Sequence, residues 1–217
     1  MASPNLRVPL ASSAVFSRWD SPRTKAGVHS VIVLDRSKMK QEPYLDHQPF
    51  GQMPYLVDGD TGLEVYESRA ISKYVAAKIK SPLFPTTQDL SAYSAFETAC
   101  DFEHSDFDTY AFGIWFEVVF KKMKQLETDQ AILASHKATL AKKLEGYERV
   151  LGKSRFVAGD NLTLADLFHL PYGQKALDVG GVPGLTDGTL PNVTRWWKEI
   201  SALKSWTDRD QLLGASV

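Results

Sequence analysis

Residues 48–75 constrain the fold more than any other part of the chain. A short apolar strand at 55–57 is followed by turn-forming residues at 58–62, Asp-Gly-Asp-Thr-Gly, and by a returning strand at 63–66. From Glu67 onward, apolar residues repeat at helical spacing. The segment therefore predicts an antiparallel hairpin that leads directly into a helix, within an α/β unit.

The two ends of this segment can each hold part of a peptide ligand. Met53-Pro54 stands where a loop enters the first strand, and an X-Pro bond there can be cis, which would expose the Met53 amide and carbonyl. At the other end, the Ser68 hydroxyl and the first helix amides could bind a free carboxylate.

Three segments carry a resemblance to a known family. Residues 48–75 resemble the glutathione transferases, most closely the serine-type phi class and its fungal relatives. Residues 156–171, FVAGDNLTLADLFHLP, look like the family's second signature, and residues 192–198, NVTRWWK, resemble its C-terminal helix. The matches run in order from about residue 35 to about residue 206. The resemblance implies the glutathione transferase fold, a thioredoxin-like α/β domain followed by an all-α domain.

The distribution of strand and helix patterns agrees with two domains. Candidate strands at 6–10, 31–34, 54–57 and 63–66 alternate with helical segments, and long helical patterns dominate afterwards. Between them, residues 81–87 contain two prolines that make a continuous helix implausible. We predict a glutathione-binding domain at 1–80, a linker at 81–87 and an all-helical electrophile-binding domain at 88–217. An apolar stripe along one predicted helix comprises Leu133, Leu140, Leu144, Tyr147 and Leu151.

The reaction implied by the resemblance requires an ionised thiol. A free thiol has a pKa of about 8.5, so little thiolate is present at neutral pH. In the phi-like pattern, the serine that contacts the thiol precedes an arginine by five positions, which aligns Ser13 with Arg18. Ser12 is the neighbouring alternative. From the residues alone, both serines also fit simple helix caps.

The resemblance also implies the other glutathione contacts. It sets the cysteinyl main chain against Met53 before Pro54, and the γ-glutamyl end against Glu67 and Ser68. Gln52 could add an amide contact. The glycyl carboxylate could be bound by one of three residues, which are Lys38, Lys40 and Gln41. A solvated loop explains Lys38 and Lys40 equally well.

The electrophile pocket is expected along the first long helix of the helical domain. Its candidate lining residues are His104, Phe107 and Tyr110, with Phe102 and Phe112 nearby. Aromatic residues at this spacing also fit a protein core. Nothing in the sequence indicates a metal site, and glutathione is expected as a co-substrate, with no separate cofactor.

Three features of the helical domain are interpreted as structural. Thr163 and Asp166 have the spacing of a capping box at a helix start. His169 is interpreted as a core histidine without a catalytic role. Since consecutive residues on a helix diverge, we expect one of Trp196 and Trp197 to enter the core and the other to lie near the surface.

Composition excludes several classes of partner. The net charge is −1 and the sequence contains no block of Lys and Arg residues, which argues against binding to nucleic acid or to an anionic membrane. The chain has no apolar run of transmembrane length, and its start lacks the apolar run of a signal peptide. The single cysteine, Cys100, fits a reducing compartment, so the cytoplasm is expected. Phe50 is a large apolar residue in a turn, and the resemblance implies that such an aromatic residue lodges between helices of the partner subunit in a two-fold homodimer. The alternative is that Phe50 folds back on its own domain.

The sequence therefore predicts a cytosolic glutathione transferase that joins the glutathione thiol to small hydrophobic electrophiles, in detoxification. Pro9 in a predicted strand and Pro22 in the first helix favour an alternative, a catalytically weak ligand-binding protein of the same fold. A thiol reductase would need a cysteine at the active turn, where Ser12 and Ser13 stand.

Overall fold

A small sheet organises the N-terminal part of the chain. The computed structural model describes residues 6–10, 28–33 and 36–208. Its strands are β1 (Leu6–Leu10), β2 (Val28–Val33), β3 (Tyr55–Asp58) and β4 (Glu64–Tyr66). Within the described residues they form a four-stranded sheet in the order β2-β1-β3-β4. β1 is parallel to β2, whereas the β1–β3 and β3–β4 pairs are antiparallel.

The predicted hairpin between β3 and β4 is confirmed. The Asp58 amide donates to the Leu63 carbonyl at 2.8 Å, and the Gly62 amide donates to the Asp58 carbonyl at 2.8 Å. Gly62 has φ of +71°, a conformation that glycine adopts at little cost. β2 starts at Val28, three residues before the predicted start, because the ladder with β1 extends to Val28 although His29 and Ser30 break the apolar pattern.

Pro9 lies inside β1 without breaking the sheet. It is opposite Ile32 of β2, whereas the described ladder between β1 and β3 includes only Leu6 and Arg7 of β1. Pro9 therefore has a paired strand on one side only, which is the type of strand position where proline is tolerated.

Contacts divide the chain into two compact units. The first contains the described residues up to Ser81 together with those from Lys204 onward, and the second is Pro82–Leu203. The helices of the first unit are α1 (Tyr44–His47), α2 (Ser68–Lys78) and α10 (Lys204–Thr207), with a 3-10 turn at Arg36–Lys40. Leu56 and Ile71 are fully buried between the sheet and α2, where Val65 and Tyr74 also pack.

The second unit is helical throughout its described elements. They are α3 (Leu90–Glu103), α4 (Thr109–Trp115), α5 (Lys121–Met123), α6 (Gln130–Leu151), α7 (Leu164–Phe168), α8 (Leu170–Asp178) and α9 (Pro191–Ser201). Two π-helical turns, His104–Asp108 and Phe116–Phe120, join α3, α4 and α5 in succession. The predicted stripe lies on α6, where Leu140, Leu144, Tyr147 and Leu151 are buried and Leu133 is half-buried.

The capping box is confirmed at the start of α7. The Thr163 hydroxyl and the Asp166 carboxylate close off this helix start, and the Thr163 amide donates to Asp166 at 2.9 Å. His169 is a core histidine, as predicted. Its Nδ1 lies 2.8 Å from the Ala165 carbonyl, so this nitrogen carries the proton and Nε2 accepts from the Tyr147 hydroxyl at 2.9 Å.

The prediction for the two adjacent tryptophans is wrong. Trp196 is 0% exposed and Trp197 only 3%, so neither lies near the surface. A Cβ atom on Gly173 would come within 2.4 Å of the Trp197 ring. The glycine on α8 thus leaves the space that the Trp197 indole fills, while Trp196 packs against His169 on the other side.

Candidate glutathione site

The hairpin register brings together the two ends of the segment that the sequence singled out. Tyr55 of β3 pairs with Tyr66 of β4 in antiparallel register. The residues just before β3 therefore lie beside the residues just after β4. Met53-Pro54 and Glu67-Ser68 consequently face one another at the same end of the hairpin.

The backbone of Met53 is available at this end of the hairpin. The Met53-Pro54 peptide bond is cis, in agreement with the sequence analysis, and Met53 is half-buried. Among the described residues, no hydrogen bond engages the Met53 amide or carbonyl. A ligand with its own amide and carbonyl could pair with both groups.

Glu67 and the start of α2 form the opposite side of the site. Glu67 has φ of +69°, which is uncommon for a residue with a side chain, and such outliers are concentrated at ligand sites. In the part of the chain that the structure describes, no side chain caps the N-terminus of α2, and a helix end of this kind is suited to an anion. The Glu67 carboxylate and the Ser68 hydroxyl are exposed and have no hydrogen-bond partner within the described part of the chain.

These groups suit the two charged ends of an amino acid. The uncapped amides and the Ser68 hydroxyl can donate to a carboxylate, and the positive end of the helix dipole favours the same charge. The neighbouring Glu67 carboxylate can accept from an ammonium group. An α-amino acid end bound here would therefore have its carboxylate on α2 and its ammonium on Glu67.

A buried charge network fixes the hairpin against α2. Asp58 is 0% exposed. Lys78 Nζ donates to both of its carboxylate oxygens, each at 2.7 Å, and the Tyr74 hydroxyl donates to one of them. Lys78 also pairs with Asp60 at 2.8 Å. Burial alone would raise the pKa of Asp58, but its hydrogen bonds to Lys78 and Tyr74 prevail and hold it well below the usual range. Hydrogen bonds to the two aspartates raise the pKa of Lys78 to about 12.

The sequence pattern indicates only a turn at Asp58, and the network was not predicted. The partners stand on α2, far along the chain, so the turn pattern contains no sign of them. The i, i+4 spacing of Tyr74 and Lys78, which sets them on one face of the helix that follows the hairpin, was the only available signal.

The candidates for the glycyl carboxylate lie on the 3-10 turn and the loop that follows it. Lys38 is exposed, whereas Lys40 Nζ donates to the Phe50 carbonyl at 2.7 Å. The Gln41 side-chain amide donates to the Ser37 carbonyl at 3.2 Å. Gln52 is exposed, and its backbone amide donates to the side-chain oxygen of Gln48 at 3.0 Å. Lys40 and Gln41 thus support the loop, and Lys38 and Gln52 are more available to a ligand.

The predicted catalytic residues Ser12 and Ser13, together with Arg18, lie outside the described residues.

The predicted electrophile residues occupy three different environments in the helical unit. Phe107 is 0% exposed and packs among Tyr147, His169 and Trp197, so it has no surface to offer a ligand. Tyr110 is half-buried, with its ring 6.1 Å from that of His136. His104 is exposed, and its carbonyl accepts from the Thr109 hydroxyl at 2.9 Å.

Phe112, which the sequence placed near the pocket, belongs to a more accessible group of aromatic rings further along the same run of helices, and the other members of this group were not predicted. Phe112 is 38% exposed, and rings on the following π turn and on α8 pack around it. The spacing of four residues between Phe112, Phe116 and Phe120 was the signal that could have identified this group.

Two kinds of feature are absent from the described part of the chain. Among residues 6–10, 28–33 and 36–208, no group of three or more His, Cys, Asp or Glu side chains is arranged to hold a metal ion. None of the helices described for this chain is both long and apolar enough to cross a membrane.

Comparisons with known proteins identify the family. The model of the glutathione S-transferase N-terminal domain matches residues 27–77, and that of the C-terminal domain matches residues 110–204. Glutathione S-transferase PM239X14 of Arabidopsis thaliana is 40% identical over 194 residues, which cover 87% of each chain.

Two solved structures share the fold. Glutathione transferase F2 from Populus trichocarpa has a TM-score of 0.82 at 30% identity and covers 97% of this chain and 100% of its own. Glutathione S-transferase I from mais, in complex with an atrazine glutathione conjugate, has a TM-score of 0.76 at 30% identity and covers 87% of both chains. The predicted fold, a thioredoxin-like domain followed by a helical domain, is thereby confirmed, and the chain belongs to the glutathione S-transferase family.

Proposed function

We propose that this transferase conjugates the glutathione thiolate to small hydrophobic electrophiles, and that the tripeptide binds at the hairpin end formed by Met53, Glu67 and Ser68. One observation carries the assignment. The register of the hairpin sets the N-terminus of α2, where Glu67 has a positive φ, beside the Met53 backbone, and neither a cap on α2 nor a hydrogen bond to Met53 is found among the described residues. A tripeptide with an amino acid end and an internal peptide matches these groups.

Each part of glutathione has a chemical counterpart in the first unit. The γ-glutamyl carboxylate would accept from Ser68 and the α2 amides, and its ammonium would donate to Glu67. The cysteinyl amide and carbonyl would pair with the Met53 backbone. Lys38 is the exposed cation best suited to the glycyl carboxylate, with Gln52 as an additional amide contact and Lys40 and Gln41 supporting the loop.

The thiol requires a separate stabilising group. A fall of about two units in its pKa would make most of it ionised at neutral pH, which corresponds to roughly 2.7 kcal/mol of preferential thiolate stabilisation. Ser13 is proposed as the hydroxyl donor, with Ser12 as the neighbouring alternative, because a hydroxyl near helix amides can favour an anion. No metal or additional cofactor is needed for this chemistry.

The test separates binding from chemistry. Calorimetric titration with glutathione should show one binding event per subunit, and S-methylglutathione, whose thiol is blocked, should bind at the same site. With 1-chloro-2,4-dinitrobenzene as the electrophile, only glutathione should give turnover above the uncatalysed rate. If glutathione binds without turnover, the protein is a ligand-binding member of the fold. If neither compound binds, the site assignment is wrong.

A homodimer is the proposed assembly. Phe50 is 61% exposed in the turn before β3. The helical unit contains a pocket of about 180 Å³, lined by Phe102, Gly146, Tyr147 and Val150, with the Lys143–Asp106 ion pair at its edge. An apolar cavity of roughly 150 Å³ can hold benzene, so this pocket has room for a phenyl ring. In a two-fold dimer, Phe50 of each subunit would fill the pocket of the other subunit.

Gly146 provides a direct test of this dimer. A Cβ atom on Gly146 would meet nothing within 4 Å, so Gly146→Leu should fill the pocket without disturbing the fold. Light scattering should show a dimer for the parent and a shift toward monomer for both Gly146→Leu and Phe50→Ala. Leu63→Ala is the matched control, because Leu63 is a 45% exposed apolar residue on the same unit. A monomeric parent, or a dimer unaffected by both variants, would contradict the proposal.

The proposed location and role follow from the chemistry. Cys100 is buried and is the single cysteine, so the chain cannot form an internal disulfide, which fits a reducing compartment such as the cytosol. Conjugation of hydrophobic electrophiles in that compartment would serve detoxification.

A further inference from the structure

The residue before Met53 has both of its backbone polar groups bound by side chains. The Tyr44 hydroxyl donates to the Gln52 carbonyl at 2.5 Å, and the Gln52 amide donates to the Gln48 side-chain oxygen at 3.0 Å. These distances lie within the normal ranges for O–H and N–H donors. The backbone of Gln52 is therefore fixed on both sides of its Cα atom.

The two side chains that hold Gln52 are buried, although Gln52 itself is exposed. Tyr44 is 7% exposed and Gln48 is 1% exposed. Packing restricts the rotamers of a buried side chain, so its polar atom holds a partner in one place. An exposed stretch of loop is thus attached to two groups that belong to the interior of the first unit.

The short helix α1, which carries Tyr44, is itself attached to the hairpin. The His47 ring stacks on Tyr55 of β3 at 5.6 Å with an interplanar angle of 4°, and His47 Nδ1 lies 2.7 Å from the Glu64 carboxylate on β4. The Tyr44 ring meets Tyr55 edge-on at 5.4 Å. Contacts with both strands of the hairpin therefore fix the Tyr44 hydroxyl relative to Met53.

The bond from Tyr44 determines the direction of the Met53 amide. The Gln52 carbonyl and the Met53 N–H belong to one planar peptide unit, and this unit is trans. In a trans unit the carbonyl and the N–H point in opposite directions. Because the Gln52 carbonyl is directed at the Tyr44 hydroxyl, the Met53 N–H points away from it, and no hydrogen bond engages that N–H among the described residues.

The same bond should make the Met53 N–H a stronger donor. Hydrogen bonds in a chain polarise one another, so a peptide unit that accepts at its carbonyl donates more strongly at its N–H. Burial raises the pKa of the Tyr44 hydroxyl. Tyr44 therefore keeps its proton, and remains a donor, over the pH range in which a thiol ionises.

We propose that Tyr44 is a positioning residue for glutathione, which acts through the Gln52 carbonyl and presents the Met53 N–H to the cysteinyl carbonyl of the tripeptide. Gln48 supports the same stretch of loop from the other side of Gln52. The inference rests on the proposed function, because it requires glutathione to pair with the Met53 backbone. Tyr44 does not touch the ligand, so its loss would change the direction of a donor and not a direct contact.

The test is calorimetric titration of Tyr44→Phe with glutathione. The variant removes the hydroxyl and keeps the ring against Tyr55. Glutathione binding should weaken about three- to tenfold, as expected for the loss of one neutral hydrogen bond, with an unchanged number of sites per subunit. The weakening should be the same between about pH 6 and 8, because the Tyr44 hydroxyl does not titrate there. A purely structural role would instead lower the number of sites and leave the dissociation constant unchanged.

Tyr55→Phe is the matched control. Tyr55 is half-buried and stands two positions after Met53, and its hydroxyl has no hydrogen bond within the described part of the chain. The substitution therefore removes the same chemical group from the same region without changing the peptide unit between Gln52 and Met53. It should leave the glutathione affinity within about twofold of the parent.

A second measurement does not depend on glutathione. In an amide proton–nitrogen correlation spectrum of the free protein, Tyr44→Phe should move the Met53 resonance, and Tyr55→Phe should move it less. An unmoved Met53 resonance in Tyr44→Phe would contradict the coupling between the two groups.

The titrations distinguish two kinds of failure. The inference alone is overturned if the parent binds glutathione and Tyr44→Phe binds it equally well, if Tyr44→Phe lowers only the number of sites, or if Tyr55→Phe weakens binding as much. If the parent itself does not bind glutathione, the proposed function is wrong and this inference falls with it.

Discussion

The indole N–H of Trp196 donates to the carboxylate of Asp166 at 2.9 Å, across thirty positions of the chain and in the fully buried core of the helical unit. The same carboxylate accepts from the amides of Val157 and Thr163 and from the Thr163 hydroxyl. Burial raises the pKa of Asp166, and these four donors oppose that rise. One side chain thereby connects the loop before α7, the start of α7 and the middle of α9.

We predict that Asp166→Ala severely destabilises the protein. The substitution leaves buried donors without an acceptor, and each such loss costs about 1 to 3 kcal/mol, so a total of roughly 3 kcal/mol or more is expected. Trp196→Phe removes one donor and leaves the others satisfied, so it should cost less. Urea unfolding measures both, with Asp178→Ala as an exposed control that should change the free energy of unfolding by less than about 0.5 kcal/mol.

A second prediction concerns the buried pair in the first unit. Lys78→Met removes the cation from the Asp58 carboxylate, which is 0% exposed, and should cost about 3 kcal/mol, the lower end of the range for breaking a buried pair because Lys78 retains 28% exposure. Lys142→Met is the control, because Lys142 forms an ion pair with Glu145 in which both side chains are well exposed. Equal unfolding free energies for the two variants would contradict the role of the pair.

The same pair should shape the pH dependence of stability. Because folding lowers the pKa of Asp58, its ionised carboxylate stabilises the fold at pH values above about 3.9, the pKa of an aspartate in the unfolded chain. This contribution is lost as the pH falls through the lower pKa of the folded state. Lys78 has a pKa of about 12 in the folded state, so its ammonium group stabilises the fold at pH values below about 10.4, the pKa of a lysine in the unfolded chain. This contribution is lost as the pH rises toward 12. Chemical unfolding from pH 2 to 11 should show both losses in the parent and a weaker dependence in Lys78→Met.

Local patterns predicted those parts of the molecule whose partners are close in sequence. The Asp58–Gly62 turn, the start of α2 and the capping box of Thr163 and Asp166 each depend on residues within a few positions, so the sequence contains all of their determinants. The register of the hairpin followed from the turn, and it brought Met53 beside Glu67.

Features that depend on a distant residue could not be predicted in this way. Trp197 is buried because Gly173, on another helix, leaves space for its ring. Lys40 was a candidate ligand, but it donates to the Phe50 carbonyl in the folded loop. The contact of Lys175 with Trp115 likewise joins two helices whose packing no local pattern specifies.

A fourth prediction concerns activation of the thiol. Ser13→Ala should lower turnover by about 10² to 10³, the usual effect of losing one donor aimed at an anion, and it should shift the rising limb of the pH profile to higher pH because the bound thiol becomes less acidic. Ser12→Ala is the matched control and should have a smaller effect, since consecutive side chains point in different directions. Glutathione affinity should change little in either variant. Parental rates and pH profiles in both would exclude these serines.

The most direct test of the glutathione site is a calorimetric comparison of Ser68→Ala with Ser72→Ala. The two serines lie one turn apart on α2, but the Ser72 hydroxyl donates to the Ser68 carbonyl at 2.8 Å within the helix, whereas the Ser68 hydroxyl is available to a ligand. Loss of a hydrogen bond to the γ-glutamyl carboxylate should weaken glutathione binding by about 1 to 3 kcal/mol, roughly 5- to 150-fold, in Ser68→Ala only. An unchanged dissociation constant in a folded Ser68→Ala variant would contradict the account.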